Sequence, residues 1–253
     1  MSLHQNQKRK TEDSEMSFWD HLEVLRGTLF RSVLAMVLAS LVFLFIPERL
    51  FDFVLWPTQP DFPLYSLSGL SFGMGLINIE ISAQFFVYLK MALLSGVVIS
   101  FPYIIYELWR FVKPALYPAE KKSVARAFGM SSFLFYLGAA VGYFIVLPVC
   151  LVFFMNFSVS EEVANTISLG SYISLFTSMV FMIGLLFEFP TIVLVLSGMG
   201  LLHRKDLRKY RKHAFVAVLL LAALITPSDP FSMFVLAIPL YGLYEFSILV
   251  CRK

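Results

Sequence analysis

The chain has 253 residues, 58% of them hydrophobic and 15% charged, with a formal net charge of +3 and a mean hydropathy of +0.78. Soluble domains carry roughly a quarter charged residues, and this much apolar side chain in water would leave large exposed patches, so a water-soluble globule is excluded. Long apolar runs, not alternating ten-residue segments, make the spanning elements helices, because backbone in lipid has no water to bond.

Residues 1–15, "MSLHQNQKRKTEDSE", are polar and without periodicity, and read as a disordered cytoplasmic tail. Lys8, Arg9 and Lys10 are followed by acids, with no apolar core behind them, so the segment is not a signal peptide. Residues 16–253 read as one membrane domain with six spans: Leu29–Ile46, Phe85–Tyr106, Ala127–Val149, Ile173–Leu196, Ala214–Ile225 and Phe231–Val250. Between the first two, "ERLFDFVLWP" (Glu48 to Pro57) reads as an amphipathic helix at the outer interface, anchored by Trp56. In the third, "GAAVG" (Gly138 to Gly142) offers a small-residue face for close helix packing. The fifth is only about a dozen residues, short of the roughly 20 a perpendicular crossing needs. With the "TPSDP" turn behind it (Thr226 to Pro230), it fits either a short re-crossing pair or a re-entrant hairpin.

Charge sets the orientation. All of the 20 lysines and arginines except Arg49 and Lys90 fall before span one or at its start (Arg31), between spans two and three, between four and five, or in the last two residues. By the positive-inside rule these segments and both termini are cytoplasmic, and Lys90 can snorkel outward. The same rule accounts for the basic loops without any phosphate-binding role. Cys150 and Cys251 then lie at opposite faces, too far apart for a mutual disulfide.

No catalytic constellation emerges. His4, His21, His203 and His213 have no ligand-spaced partners, and "GMG" at Gly73 to Gly75 has no phosphate-loop context. No enzyme activity, metal, cofactor or nucleic-acid partner is indicated. The chemistry lies in acids placed in apolar surroundings. Glu188 sits mid-span in "LFEFP", with Pro190 weakening the helix one turn earlier. It is either a protonated carboxyl that packs two helices, or a site for a polar or cationic group. Glu245, near the cytoplasmic end of span six, reads as structural. Glu107 and Glu120 flank "ELWRFVKPALYPAE", whose aromatics Trp109, Phe111 and Tyr117 suit either an interfacial belt or a cap that binds something basic and apolar.

Six segments in order carry a resemblance: "HLEVLR" (His21 to Arg26), "WRFVKPALYPAEKK" (Trp109 to Lys122), "LFEFP" (Leu186 to Pro190), "DLRKYR" (Asp206 to Arg211), "TPSDPFS" (Thr226 to Ser232) and "IPLYGLYE" (Ile238 to Glu245). Together they resemble the TatC family, the multispanning receptor subunits of the twin-arginine protein translocase. The resemblance implies an all-α integral membrane protein whose six transmembrane helices form a cup-like concave bundle, with the last two short and both termini cytoplasmic. It implies a bacterial inner-membrane receptor and scaffold that binds twin-arginine signal peptides. With TatA- and TatB-like single-span subunits, and self-associated in a larger complex, it would support proton-motive-force-driven export of folded proteins. By position, Arg26, Phe111 and Glu120 belong to the signal-binding surface; Glu188 is an intramembrane polar site on the concave side; Thr226 and Asp229 belong to the partner-docking turn.

The chain departs from the family pattern where His-Leu-x-Glu-Leu-Arg becomes "HLEVLR". Val24 replaces the glutamate and Glu23 stands one place earlier, about 100° around a helix. Either Glu23 or Glu107 can supply the missing carboxylate. Met233 stands where the family often has glutamine. The alternative function is a proton-coupled secondary transporter of a small solute using Glu188, although Pro102, Pro190 and Pro239 do not pair as repeated halves would require.

Overall fold

The computed structural model describes residues 18–70, 72–116, 118–158, 160, 165–226 and 229–251. The expected tail at 1–15, Tyr117, and Pro227 and Ser228 of the final turn lie outside the described residues. So do the side chains of residues 118–120.

Each long apolar run folds as a helix. Helix α1 is Phe18–Phe43; α4 is Ala83–Val112; α5 (Pro118–Val141) and α6 (Leu147–Asn156) form a continuous rod. The rod's two parts are joined by a π-turn at Gly142–Val146. The next rod runs through α7 (Leu169–Phe176), a π-turn at Thr177–Met182, α8 (Ile183–Leu186) and α9 (Phe189–Gly198). After the short α10 (Arg204–Lys209) come α11 (Arg211–Ile225) and α12 (Pro230–Val250).

Among the described residues, five helical stretches are long and apolar enough to cross a membrane: His21–Phe43, Ala83–Val112, Val124–Asn156, Leu169–Gly198 and Pro230–Val250. The expected fifth crossing is α11, with 15 residues. At 1.5 Å per residue it reaches about 22 Å, against roughly 30 Å of hydrocarbon.

Small residues set the helix spacings. A Cβ at Gly96 of α4 would fall on the Ser40 hydroxyl of α1 and lie 2.8 Å from the Met36 carbonyl oxygen, so these two helices touch backbone to backbone. The expected close packing at "GAAVG" is present. A Cβ at Gly142 would fall on the Met179 carbonyl oxygen, and one at Gly138 would enter the Phe187 ring. The two π-turns therefore meet face to face.

The expected amphipathic helix is α2, Pro47–Leu55, followed by a 3-10 turn and by α3, Pro63–Ser68. The last carbonyls of a helix have no intrahelical partner. Those of α2 are taken by tyrosines from the long rods: the Tyr143 hydroxyl donates to the Phe53 carbonyl at 2.7 Å, and that of Tyr172 to Val54 at 2.5 Å. Tyr65 donates likewise to Pro57 at 2.8 Å. Stacked Phe53–Tyr143 and edge-on Trp56–Phe62 rings fill the space between. A two-residue parallel pairing joins β1 (Leu76–Ile77) to β2 (Ile167–Ser168), a small exception in an otherwise helical chain. Cys150 and Cys251 are both buried, in separate clusters and in no disulfide.

Candidate functional site

The start of α1 and the end of α4 form one face. His21 stacks on Phe111 with centroids 4.3 Å apart and planes 21° from parallel, so "HLEVLR" and "WRFVKP" meet in space. Glu23, Val24 and Arg26 are exposed on this part of α1, and Phe111 is half-buried. Glu120 stands in the first turn of α5, with its side chain outside the described residues.

Glu107, the other candidate carboxylate, is buried. It is 2% exposed and already holds an arginine of its own chain. Arg31 donates from Nε at 3.0 Å and from Nη2 at 2.8 Å, both to Oε2. The Tyr103 hydroxyl donates to Oε1 at 3.1 Å, and Arg110 Nη1 lies 3.9 Å from the same oxygen. A carboxylate buried among apolar helices persists only when paired and hydrogen-bonded, and Arg31 supplies the pair. Sequence reasoning counted Arg31 only as a cytoplasmic charge and did not single out Tyr103. The usable signal was positional: a basic residue opening one span and an acid closing the next are brought level when the two spans pack antiparallel.

The second locus is Glu188. The fourth rod is interrupted there, α8 ending at Leu186 and α9 beginning at Phe189 with Pro190 in its first turn. This is the break expected from the proline. The Ser131 hydroxyl of α5 donates to Glu188 Oε2 at 2.5 Å, whereas Oε1 is buried with no hydrogen-bond partner among the described residues. The carboxyl thus joins two rods. Elsewhere, between α2, α4 and the two interrupted rods, lies a groove of about 430 Å³. Its lining is apolar and aromatic, including Phe53, Tyr143 and Phe181, with Arg49 as its charged member.

The third locus is the turn before α12. Asp229 caps that helix, its Oδ1 accepting the Ser232 backbone N–H at 2.7 Å. Thr226 Oγ1 and Asp229 Oδ2 are buried without hydrogen-bond partners among the described residues. Beside them Phe231 stacks on Phe153 at 3.9 Å.

Glu245 is structural here, as expected. Arg211 at the start of α11 donates to its Oε2 at 2.7 Å, tying the ends of α11 and α12 together. Among the described residues no group of three or more His, Cys, Asp or Glu is placed to hold a metal ion.

A family model described as Sec-independent protein translocase protein (TatC) matches residues 20–239. The chain is 38% identical to the Sec-independent protein translocase protein TatC of Blattabacterium sp. subsp. Periplaneta americana (strain BPLAN), over 95% of this chain and 97% of that one. It is 31% identical to that of Escherichia coli (strain K12), over 92% and 86%. Among solved structures, a crystal structure of the twin arginine translocase receptor TatC in DDM superposes with a TM-score of 0.78. The identity is 31%, covering 92% of this chain and 100% of that one.

Proposed function

The chain belongs to the TatC family, and on that premise we propose how its surfaces divide the work of a twin-arginine translocase receptor subunit. As such a subunit it is a multi-pass membrane protein of the bacterial Tat system and not an enzyme. The transporter reading falls away with that membership.

Cargo signal peptides bind the cytoplasmic face built from the start of α1 and the segment after α4. The observation that carries this is the His21–Phe111 stack, which makes one surface of two segments far apart in the chain. A guanidinium is recognised most selectively by a carboxylate that meets its planar fork. Glu23 on exposed α1 and Glu120 in the first turn of α5 supply those carboxylates, with Arg26 and Phe111 completing the surface. Glu107, engaged by Arg31, serves the same surface from behind by fixing α1 against α4.

The remaining assignments follow the same reading. Helix α11 is a sixth, short crossing of a cup-like bundle, both termini are cytoplasmic, and one membrane domain occupies residues 16–253. The charge distribution supports this orientation, and local thinning of the bilayer accommodates the short helix. Glu188 makes a hydrated polar spot on the concave side. Thr226 and Asp229, each with a buried oxygen lacking a hydrogen-bond partner among the described residues, dock TatA- and TatB-like single-span subunits. Copies of the chain self-associate in the inner membrane, because one bundle of this size cannot enclose a folded cargo.

Photocrosslinking from a group beside a signal peptide's paired arginines, in native membranes, tests the receptor surface. Labelling between Phe111 and Glu120 is expected, lost when the arginines become lysines and lost in Glu120→Ala. Equal labelling of a folded Glu120→Ala protein with either peptide would remove this face as the reader of arginines.

A further inference from the structure

The carboxylate of Glu107 is 2% exposed, yet the groups that cover it are themselves open to the surroundings. The side chains of Arg31 and Arg110 are 40% and 62% exposed, and Tyr103 is 39% exposed. Arg31 holds one oxygen with both Nε and Nη2, at 3.0 and 2.8 Å. Arg110 Nη1 stands 3.9 Å from the other oxygen, to which Tyr103 donates. One buried acid thus lies under two guanidinium groups of its own chain, and neither is ion-paired with another acid among the described residues.

The position of this group matters as much as its composition. Glu107 lies five residues before the end of α4 at Val112, and Phe111 is one turn on, on the same side of the helix. Phe111 stacks on His21, so the carboxylate sits one turn beneath the proposed cargo face. Helix α1, which brings Arg31, is the least buried of the five long apolar stretches. Arg31 also has a second resting place, on its own helix. Its Nη2 lies 3.5 Å from Thr28 Oγ1, and a Cβ at Gly27 would come within 3.2 Å of Nη1. The glycine is what lets the guanidinium lie along α1.

We propose that Arg31 is a resident guanidinium that holds Glu107 in the empty receptor, and that one arginine of a cargo pair displaces it there. The exchange replaces one pair of charge-assisted hydrogen bonds by another on the same carboxylate. The buried acid therefore never stands unpaired, and the cost falls on Arg31, which turns to water and Thr28. A cargo lysine has no planar fork and displaces Arg31 poorly. The exchange rests on the reading of this face as the cargo surface, and adds to it a carboxylate that cargo reaches only by competition.

Binding of dye-labelled signal peptides bearing Arg-Arg or Lys-Lys to the full-length protein in detergent, read by fluorescence anisotropy, tests the exchange. Arg31→Gln should bind the Arg-Arg peptide about fivefold more tightly than wild type, since a part-exposed bridge no longer has to open. Lys-Lys binding should stay unchanged. The Arg-Arg peptide should also raise the thermal midpoint of Arg31→Gln by more than that of wild type, because it refills an emptied carboxylate. A pair that only braced two helices would show no such gain. Arg31→Gln/Glu107→Gln should lose the gain in affinity. Should Arg31→Gln fail to fold, Arg31→Lys keeps the charge without the fork and should gain in the same direction. Arg-Arg affinity unchanged or weakened in the folded variant overturns the exchange, as do equal gains for both peptides. A gain that survives in the double variant removes Glu107 as the acceptor. A wild-type protein that binds both peptides equally overturns instead the cargo face itself as a reader of arginines.

Discussion

Arg31 and Glu107 carry the main residue-scale lesson. The acid is 2% exposed, while the side chain of its partner remains 40% exposed. The pair therefore lies between a solvent-screened bridge and a fully buried one. Arg31→Gln leaves an uncompensated charge among apolar side chains, and should lower the midpoint of thermal unfolding in detergent. Removing both charges in Arg31→Gln/Glu107→Gln should cost less than the sum of the single changes, because no orphaned ion remains. Thermal unfolding of the four proteins measures the coupling, and additive losses would mean the two side chains do not stabilise one another. The acid was visible in the sequence as a polar residue in an apolar run. Its partner, 76 positions away, was not, since no local pattern ties residue 31 to residue 107.

At the scale of elements, the interruptions matter more than the helices. Proline positions and apolar lengths made the rods legible, including the break before Pro190. The π-turns at Gly142–Val146 and Thr177–Met182 had no such signal, because a π-turn is selected by what packs against it rather than by its own composition. Gly142 is the contact. Its Cα faces the Met179 carbonyl, a backbone group that cannot turn aside. Gly142→Ala should therefore force the two rods apart, costing about 1–3 kcal/mol. Gly129→Ala, where an added Cβ meets nothing within 4 Å, should be neutral or slightly stabilising, by up to about 1 kcal/mol. Equal effects of the two substitutions on thermal unfolding would show that close approach at Gly142 does not limit the packing.

For the whole molecule, topology is the quantity to measure. With α11 as a short crossing, a single cysteine introduced at Asp229, in a background lacking Cys150 and Cys251, should react with an impermeant maleimide added from outside. One introduced at Lys205 should react only after the membrane is opened. Labelling of both positions from the same side would make α11 and the turn after it a re-entrant hairpin. The positive-inside distribution supports the first outcome, and the 15-residue length is what makes the measurement necessary.

The sequence by itself determined the solvent, the helical class, most span positions and, through six ordered segments, the family. These are statements about composition and local pattern, and the bilayer enforces them on any chain that enters it. Only the tertiary structure decided which polar groups are already satisfied. It gave Glu107 to Arg31, bound Glu188 to Ser131, and set Tyr143 and Tyr172 on the carbonyls of α2. In a low-dielectric interior a polar group is defined by its neighbour, and neighbours distant in the chain are chosen by packing.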